Sequence, residues 1–316
     1  MSHSVSSLTS HRRGAAFIVA AAAALWGLDA YFRIPFAVEI SASSLVFGEH
    51  VILVIATLPW LLGAIRAARK LDLRSWIYLI FIGAGASAGA TVLFTKAFAT
   101  GDAITPLMLQ KFQPFVVVLG AGILLRERIH PRYAFYLVAA IAGAWLIAFA
   151  QPFDVAAPTL KPALYSIAAA TLWAMGTVLG RHLSVHLEFK ELTTLRFLIG
   201  LPAAFVIVLF DGAAIVPASE NIVRLVFLSL IVGLLAMLLY YYGLRRTPAV
   251  VATIAELTFP VVAAIVGYLK FDAKLDGSQW LGVIVLSATV LLLSWQSNRH
   301  EEQIVDIPED TIKVSV

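Results

Sequence analysis

Ten apolar runs divide this chain, and each is long enough to cross the hydrocarbon core of a bilayer as a helix of about 20 residues. They fall at roughly 14–35, 43–65, 75–99, 103–125, 133–151, 162–182, 190–210, 222–244, 248–270 and 278–296. In lipid, backbone N–H and C=O groups must be satisfied within the segment, so such runs fold as α-helices. Only 13% of the 316 residues are charged and 60% are hydrophobic, whereas soluble domains carry about 25% charged residues. A water-soluble fold is excluded. The connections are short, as antiparallel neighbours require. No cysteine is present, which removes disulfides, thiol nucleophiles and thiolate metal sites.

Residues 1–13 are polar and end in Arg12-Arg13, in the manner of a twin-arginine signal. The following run is full length and nine more come after it, so it reads as an uncleaved first span. With the N-terminus inside, 13 Lys/Arg residues flank the inner ends of the spans and five the outer ends. Basic residues concentrate on the cytoplasmic side. The expected orientation places both termini in the cytoplasm, in the inner membrane of a bacterium. The basic balance is thus membrane-orienting charge, and no nucleic-acid partner is expected. Residues 297–316 are polar and acidic, and read as a disordered cytoplasmic tail.

The spans form two sets of five, at 14–151 and 162–296, that echo each other. Leu25-Trp26 recurs as Leu172-Trp173 at an offset of 147, and Glu49 falls at the same offset from Arg196. Pro114 pairs with Pro260 at 146, and Gly122 and Glu127 pair with Gly267 and Asp272 at 145. Five matches in order argue for an internal duplication. Five is odd, so the second copy enters from the opposite side. The predicted fold is an all-α integral membrane protein of ten transmembrane helices in two inverted five-helix repeats, with a polar site near the midplane.

The figure polar-x-x-x-Pro occurs in both copies, as Gln110-Lys111-Phe112-Gln113-Pro114 and Glu256-Leu257-Thr258-Phe259-Pro260. Proline has no N–H, so it leaves the carbonyl four residues earlier without its helical partner. A loosened carbonyl and a strongly polar side chain therefore meet at one place in each copy. Pro114 and Pro260 are the expected gates. Bland alternatives stand beside this: tolerated proline kinks whose polar groups bond to neighbouring helices.

The second copy carries Gly233-Leu-Leu-Ala-Met-Leu-Leu-Tyr-Tyr-Tyr-Gly-Leu-Arg-Arg-Thr-Pro-Ala249, then Ala255-Glu-Leu-Thr-Phe-Pro260 and Gly267-Tyr-Leu-Lys-Phe-Asp272. The first carries Phe94-Thr-Lys-Ala-Phe-Ala-Thr-Gly-Asp-Ala103, Gln113-Pro114 and Gly122-Ile-Leu-Leu-Arg-Glu127. Together these resemble the drug/metabolite transporter superfamily of the EamA type, over nearly all of residues 14–296. The resemblance implies ten-helix carriers with a central cavity shared by the two repeats, many of which export amino acids, aromatic ones included. Asp272 stands where the family often has Glu, and Glu49 where a basic residue is common.

Seven ionisable side chains lie within spans: Asp29, Glu49, His50, Lys96, Lys111, Arg196 and Glu256. Each costs about 2.5–3.5 kcal/mol at a helix centre on insertion scales. Lys96 is near a span end and can snorkel. Asp29 shares a face with Trp26, and a buried pair with Arg33 at i+4 is the structural alternative to a substrate role. Glu49-His50 is the natural proton candidate, although adjacent positions point about 100° apart and only one is expected to face the site. Lys111 and Glu256 offer opposite charges to a zwitterion, Arg196 being a partner for Glu256 or Glu49. Of Tyr240-Tyr241-Tyr242, one or two rings can face inward, and with Trp26 and Trp173 they would line an apolar pocket. The runs Ala20–Ala24, Gly83–Ala90 and Ala139–Ala144 read as close helix packing.

Substrate contacts are therefore expected at Trp26, Asp29, Gln110, Lys111, Trp173, Tyr241 and Glu256. Coupling or gating is expected at Glu49, His50, Arg196, Pro114 and Pro260. No phosphate-binding loop and no HExxH motif occur, so no catalytic residue, metal or cofactor is expected. The preferred function is a secondary carrier exporting amino acids or similar metabolites by alternating access; a monomer is expected with an oligomer as the alternative, and uniport and proton antiport both stay open. Multidrug or sugar-phosphate export ranks lower, because Lys111 and Arg196 alone would face a phosphate. An intramembrane enzyme or sensor would need a reactive constellation, and none is visible.

Overall fold

A computed structural model describes residues 17–100, 105–113, 115–117, 119–120, 138–139, 142–143, 145–146, 157–215, 222–246, 255–256, 258–271, 276–285, 287–289 and 292. The two tails, Pro114, the side chains of Lys111 and Pro260, most of span 5, and Gly122, Glu127 and Asp272 lie outside the described residues.

Six described helices have the length and hydropathy of membrane spans, at 23 to 28 residues each. They include α1 (Phe17–Glu39), α2 (Ala42–Ala68), α3 (Leu73–Thr100), α6 (Phe189–Asp211) and α7 (Ile222–Leu244). The sixth belongs to α5 (Ala157–Leu183). Between α3 and α5 lies the short α4 (Thr105–Leu109), which tightens into a 3₁₀ turn at Gln110–Phe112. After α7 comes α8 (Thr258–Phe271). Large apolar side chains such as Val38, Leu62, Leu209 and Phe210 stand exposed on the outer surface. An apolar exterior over an apolar interior is what lipid requires and water does not tolerate.

Local signals set the helix ends. Ser41 caps α2 by accepting from the Ser44 N–H, and Asp72 caps α3 by accepting from the Ser75 N–H at 3.0 Å. Glu188 and Glu191 form a capping box at the start of α6. Gly212 ends α6 in the left-handed region at φ 60°, while the Ala213 N–H reaches back to the Val208 carbonyl. Glycine suits that position because a Cβ would strain there.

The helices cross closely where side chains are smallest. A Cβ on Gly83 of α3 would lie 2.6 Å from Cβ of Ile199 on α6, and one on Gly176 of α5 would lie 2.6 Å from Cβ of Ala86 on α3. Small residues let backbones approach in a medium that offers no hydrophobic driving force between helices. Contacts also repeat with roles exchanged. Helix α3 packs on α5 and α6, and α7 packs on α1 and α2; α8 lies on α1 as α4 lies on α5; α2 packs on α6.

Two stretches depart from α-helical winding in the same way. Phe81–Gly89 in α3 and Leu228–Leu235 in α7 are π-helical, and they begin 147 residues apart. That is the offset separating Trp26 from Trp173. The shared deformation is a backbone echo that no residue match announces.

Gly83→Ala is expected to lower stability by about 1–3 kcal/mol, the usual cost of overpacking. Gly63 has nothing within 4 Å of its Cβ position, so Gly63→Ala should hold or raise stability by about 0.5–1 kcal/mol. Thermal unfolding of both proteins in one detergent checks the pair.

Candidate functional site

The cavity lies among α1, α2, α3, α5, α6 and α7, with the Gln110 turn and the approach to α8 on its wall. It holds about 1270 Å³ of non-atom space, its open mouth included.

Its aromatic walls come in two pairs. Trp26 of α1 lies against Tyr240 of α7 with ring centroids 4.9 Å apart. Trp173 of α5 meets Phe94 of α3 edge-on at 5.1 Å. Both tryptophans line the cavity, and neither is turned out to lipid. Beside Trp26 the backbone of α1 tightens: the Leu28 N–H bonds to the Leu25 carbonyl at 3.0 Å, and the Tyr31 N–H to the Leu28 carbonyl at 3.1 Å. These three-residue bonds interrupt the α-helix just before Asp29.

Arg33 organises the charge at one end. Its Nε and Nη2 donate to the two carboxylate oxygens of Asp29 at 2.7 and 2.8 Å. Its Nη1 donates to the Thr95 hydroxyl at 3.1 Å and lies 2.8 Å from Glu49 Oε1. That oxygen has no aligned hydrogen bond, but the second one, Oε2, accepts from Arg33 Nη2 at 3.4 Å. All three charged residues are buried. The local Asp29–Arg33 pair therefore holds, and Asp29 faces the cavity already neutralised.

Glu49 and His50 both line the cavity, contrary to the expectation that only one would. The two use different neighbours: Glu49 turns to Arg33, and His50 turns toward α3. The His50 Nδ1 lies 2.8 Å from the Val46 carbonyl, which can only accept, so Nδ1 carries the proton. Nε2, 3.0 Å from the Ser87 hydroxyl, is then free to accept from it. Gly200 makes room for the ring, since a Cβ there would lie 2.6 Å from it.

Arg196 departs from its expected pairing. No carboxylate lies within 4.0 Å of it among the described residues, so neither Glu49 nor Glu256 is its ion-pair partner. It donates instead to the Tyr241 hydroxyl at 3.1 Å and to the Ala86 carbonyl at 2.9 Å. Glu256 accepts from the Tyr240 hydroxyl at 2.8 Å, and Tyr240 also lies 3.1 Å from the Thr177 hydroxyl. Lys96 stays out of the cavity and pairs with Asp211 of α6 at 2.9 Å.

The carbonyls next to the prolines are not orphaned. The Phe259 N–H bonds to the Glu256 carbonyl at 3.0 Å, and the Gln113 N–H bonds to the Gln110 carbonyl. In both motifs the chain tightens by one residue and supplies from i+3 the bond that proline removes from i+4. What the motif delivers is a polar side chain at a turn: Gln110 and Glu256 both line the cavity.

Sequence reasoning passed over Arg33 as a cavity residue, along with Phe94 and Ser87 as contacts, and left open which of Tyr240, Tyr241 and Tyr242 face inward; Tyr240 and Tyr241 line the cavity. Ser87 sits in the small-residue run that read as packing. Its only signal was that it is the one hydroxyl among Gly83–Ala90.

Arg33→Met would leave two buried carboxylates facing each other and is expected to cost about 3–5 kcal/mol. The triple variant Asp29→Asn, Arg33→Met, Glu49→Gln should recover most of that loss. Melting temperatures in detergent, with size-exclusion profiles, distinguish the two.

The EamA-like transporter family matches at residues 12–149 and again at 160–295. The riboflavin transporter ImpX of Fusobacterium nucleatum is 29% identical over 299 residues, covering 91% of this chain and 97% of that one. The uncharacterized transporter YwfM of Bacillus subtilis is 23% identical, covering 80% and 85%. PecM of Dickeya dadantii is 24% identical, covering 69% and 74%. One solved crystal structure shares the fold at a TM-score of 0.61 and 17% identity, over 91% of this chain and 99% of that one. With the family matched once in each half, the chain is a multi-pass membrane transporter rather than an enzyme, and it belongs to the EamA-like transporter family.

Proposed function

We propose that this protein is a secondary carrier for a planar aromatic metabolite of the flavin kind, working by alternating access about the central cavity. The observation that carries the cargo class is the pair of aromatic contacts that line the cavity, Trp26 with Tyr240 and Trp173 with Phe94. Aromatic faces in a cavity favour a ring system that can lie against them, with Gln110 and Ser87 to bond its polar edge. The name of the Fusobacterium nucleatum relative points the same way.

The architecture we infer is ten membrane helices in two inverted five-helix repeats, 14–151 and 162–296, in a bacterial inner membrane with both termini cytoplasmic. Its support is threefold. The π-helical stretches share the 147-residue offset, the helix contacts repeat with roles exchanged, and the basic residues favour one side. Gating is assigned to the turns before Pro114 and Pro260. Proton coupling is assigned to Glu49, because two carboxylates share one guanidinium at the cavity and the surplus acid can carry a proton across.

Amino acid export is the second reading, favoured by Arg196 and Glu256, which bring opposite charges to the same cavity. A single assay weighs both: uptake of labelled riboflavin and labelled tryptophan into proteoliposomes. Riboflavin flux is expected, with Trp26→Ala and Trp173→Ala each raising the apparent KM severalfold, as the loss of one aromatic contact of about 0.5–1.5 kcal/mol implies. Flux of tryptophan alone would replace the flavin reading with the second one, and flux of neither would remove both.

A further inference from the structure

Arg196 is a cation in oil whose negative partner is missing from the described protein. It is buried, lies on the cavity wall, and spends its two terminal nitrogens on neutral acceptors, the Tyr241 hydroxyl and the Ala86 carbonyl. Its Nε is buried with no hydrogen-bond partner. The nearby acids are engaged: Asp29 and Glu49 by Arg33, and Glu256 by Tyr240 among its contacts. A buried charge without a counter-charge costs several kcal/mol, and so does a buried N–H left unbonded.

The two halves differ at this spot. The offset of 147 that relates Glu49 to Arg196 relates Asp29 and Arg33 to Gly176 and Gly180. Where the first half holds an ion triad, the second holds two glycines. Gly180 takes the Tyr241 ring, which lies 3.0 Å from its Cβ position, and the Cβ position of Gly176 is 4.0 Å from Arg196 Nη1. The side of the cavity that carries the lone guanidinium has thus been cleared of the carboxylate that would neutralise it.

We propose that the cargo itself supplies this charge: the transported metabolite bears an anionic group, a carboxylate in the simplest case, that accepts from Arg196 Nε while its ring lies against the aromatic walls. The inference rests on the carrier reading but not on the flavin scaffold. A guanidinium–carboxylate contact is charge-assisted and, in a dry site, discriminates an anion from its neutral analogue by about tenfold to a hundredfold.

The test uses the purified full-length protein and titration calorimetry with two matched pairs of probes. One pair is 10-carboxymethyl flavin and its carboxamide; the other is N-acetyltryptophan and N-acetyltryptophan amide. In the unsubstituted protein the acid of at least one pair is expected to bind tenfold or more tightly than its neutral partner. In Arg196→Gln that ratio should fall to about one while the neutral partner keeps its affinity, which also reports that the protein is folded. Arg196→Lys should retain part of the preference. Equal affinity within both pairs, binding by neither pair, or a preference that survives Arg196→Gln overturns the proposal. A preference seen only with the N-acetyltryptophan pair upholds it and removes the flavin reading instead.

Discussion

The guanidinium of Arg33, clasped by Asp29 and faced by Glu49, is the interaction on which the site depends. Three ions in a membrane interior can persist only by satisfying one another. Because Asp29 and Arg33 lie one helical turn apart, the first pair forms within α1. Glu49 and Thr95 then bring α2 and α3 to the same point. The triad fixes how these three helices meet, and Trp26 stands three residues before Asp29. The aromatic wall inherits its position from the ion pair.

Irregular backbone gathers where the cavity is. Helix α1 tightens between Leu25 and Tyr31, the Gln110 and Glu256 turns tighten before their prolines, and α3 and α7 loosen into π-helix at Phe81–Gly89 and Leu228–Leu235. Non-helical winding at membrane depth is tolerated only where protein or a cavity covers it. Each departure rotates a polar group inward: Ser87 and Ser229 on the two π-helical stretches, Gln110 and Glu256 at the turns. The glycine crossings at Gly83 and Gly176 let this happen without opening voids between helices.

The halves share a frame and differ in chemistry. Both bring an aromatic residue of α3 or α7 onto a tryptophan of α5 or α1. Among the described residues the first half balances its cavity cation internally, whereas Arg196 stands beside glycines. Under the carrier reading that difference gives the cargo one preferred orientation, because a flat ring alone would bind either way up.

Membrane residence, the two-copy organisation and the family were legible in the chain itself, since apolar length, repeated motifs and spacing are local properties. So was the Asp29–Arg33 pair, because i and i+4 are neighbours on any helix. Partners between helices were not legible. Arg196 was expected beside Glu49 or Glu256, and the packing of α6 on α3 and α7 gave it the Ala86 carbonyl and Tyr241 instead. Glu49 and His50 were expected to divide, yet they face one cavity because α2 presents them to two different neighbours there. Residue spacing fixes which side chains share a face of one helix; only the close packing of several helices decides which of those faces meet, and hence which charges find a counter-ion and which are left for a ligand.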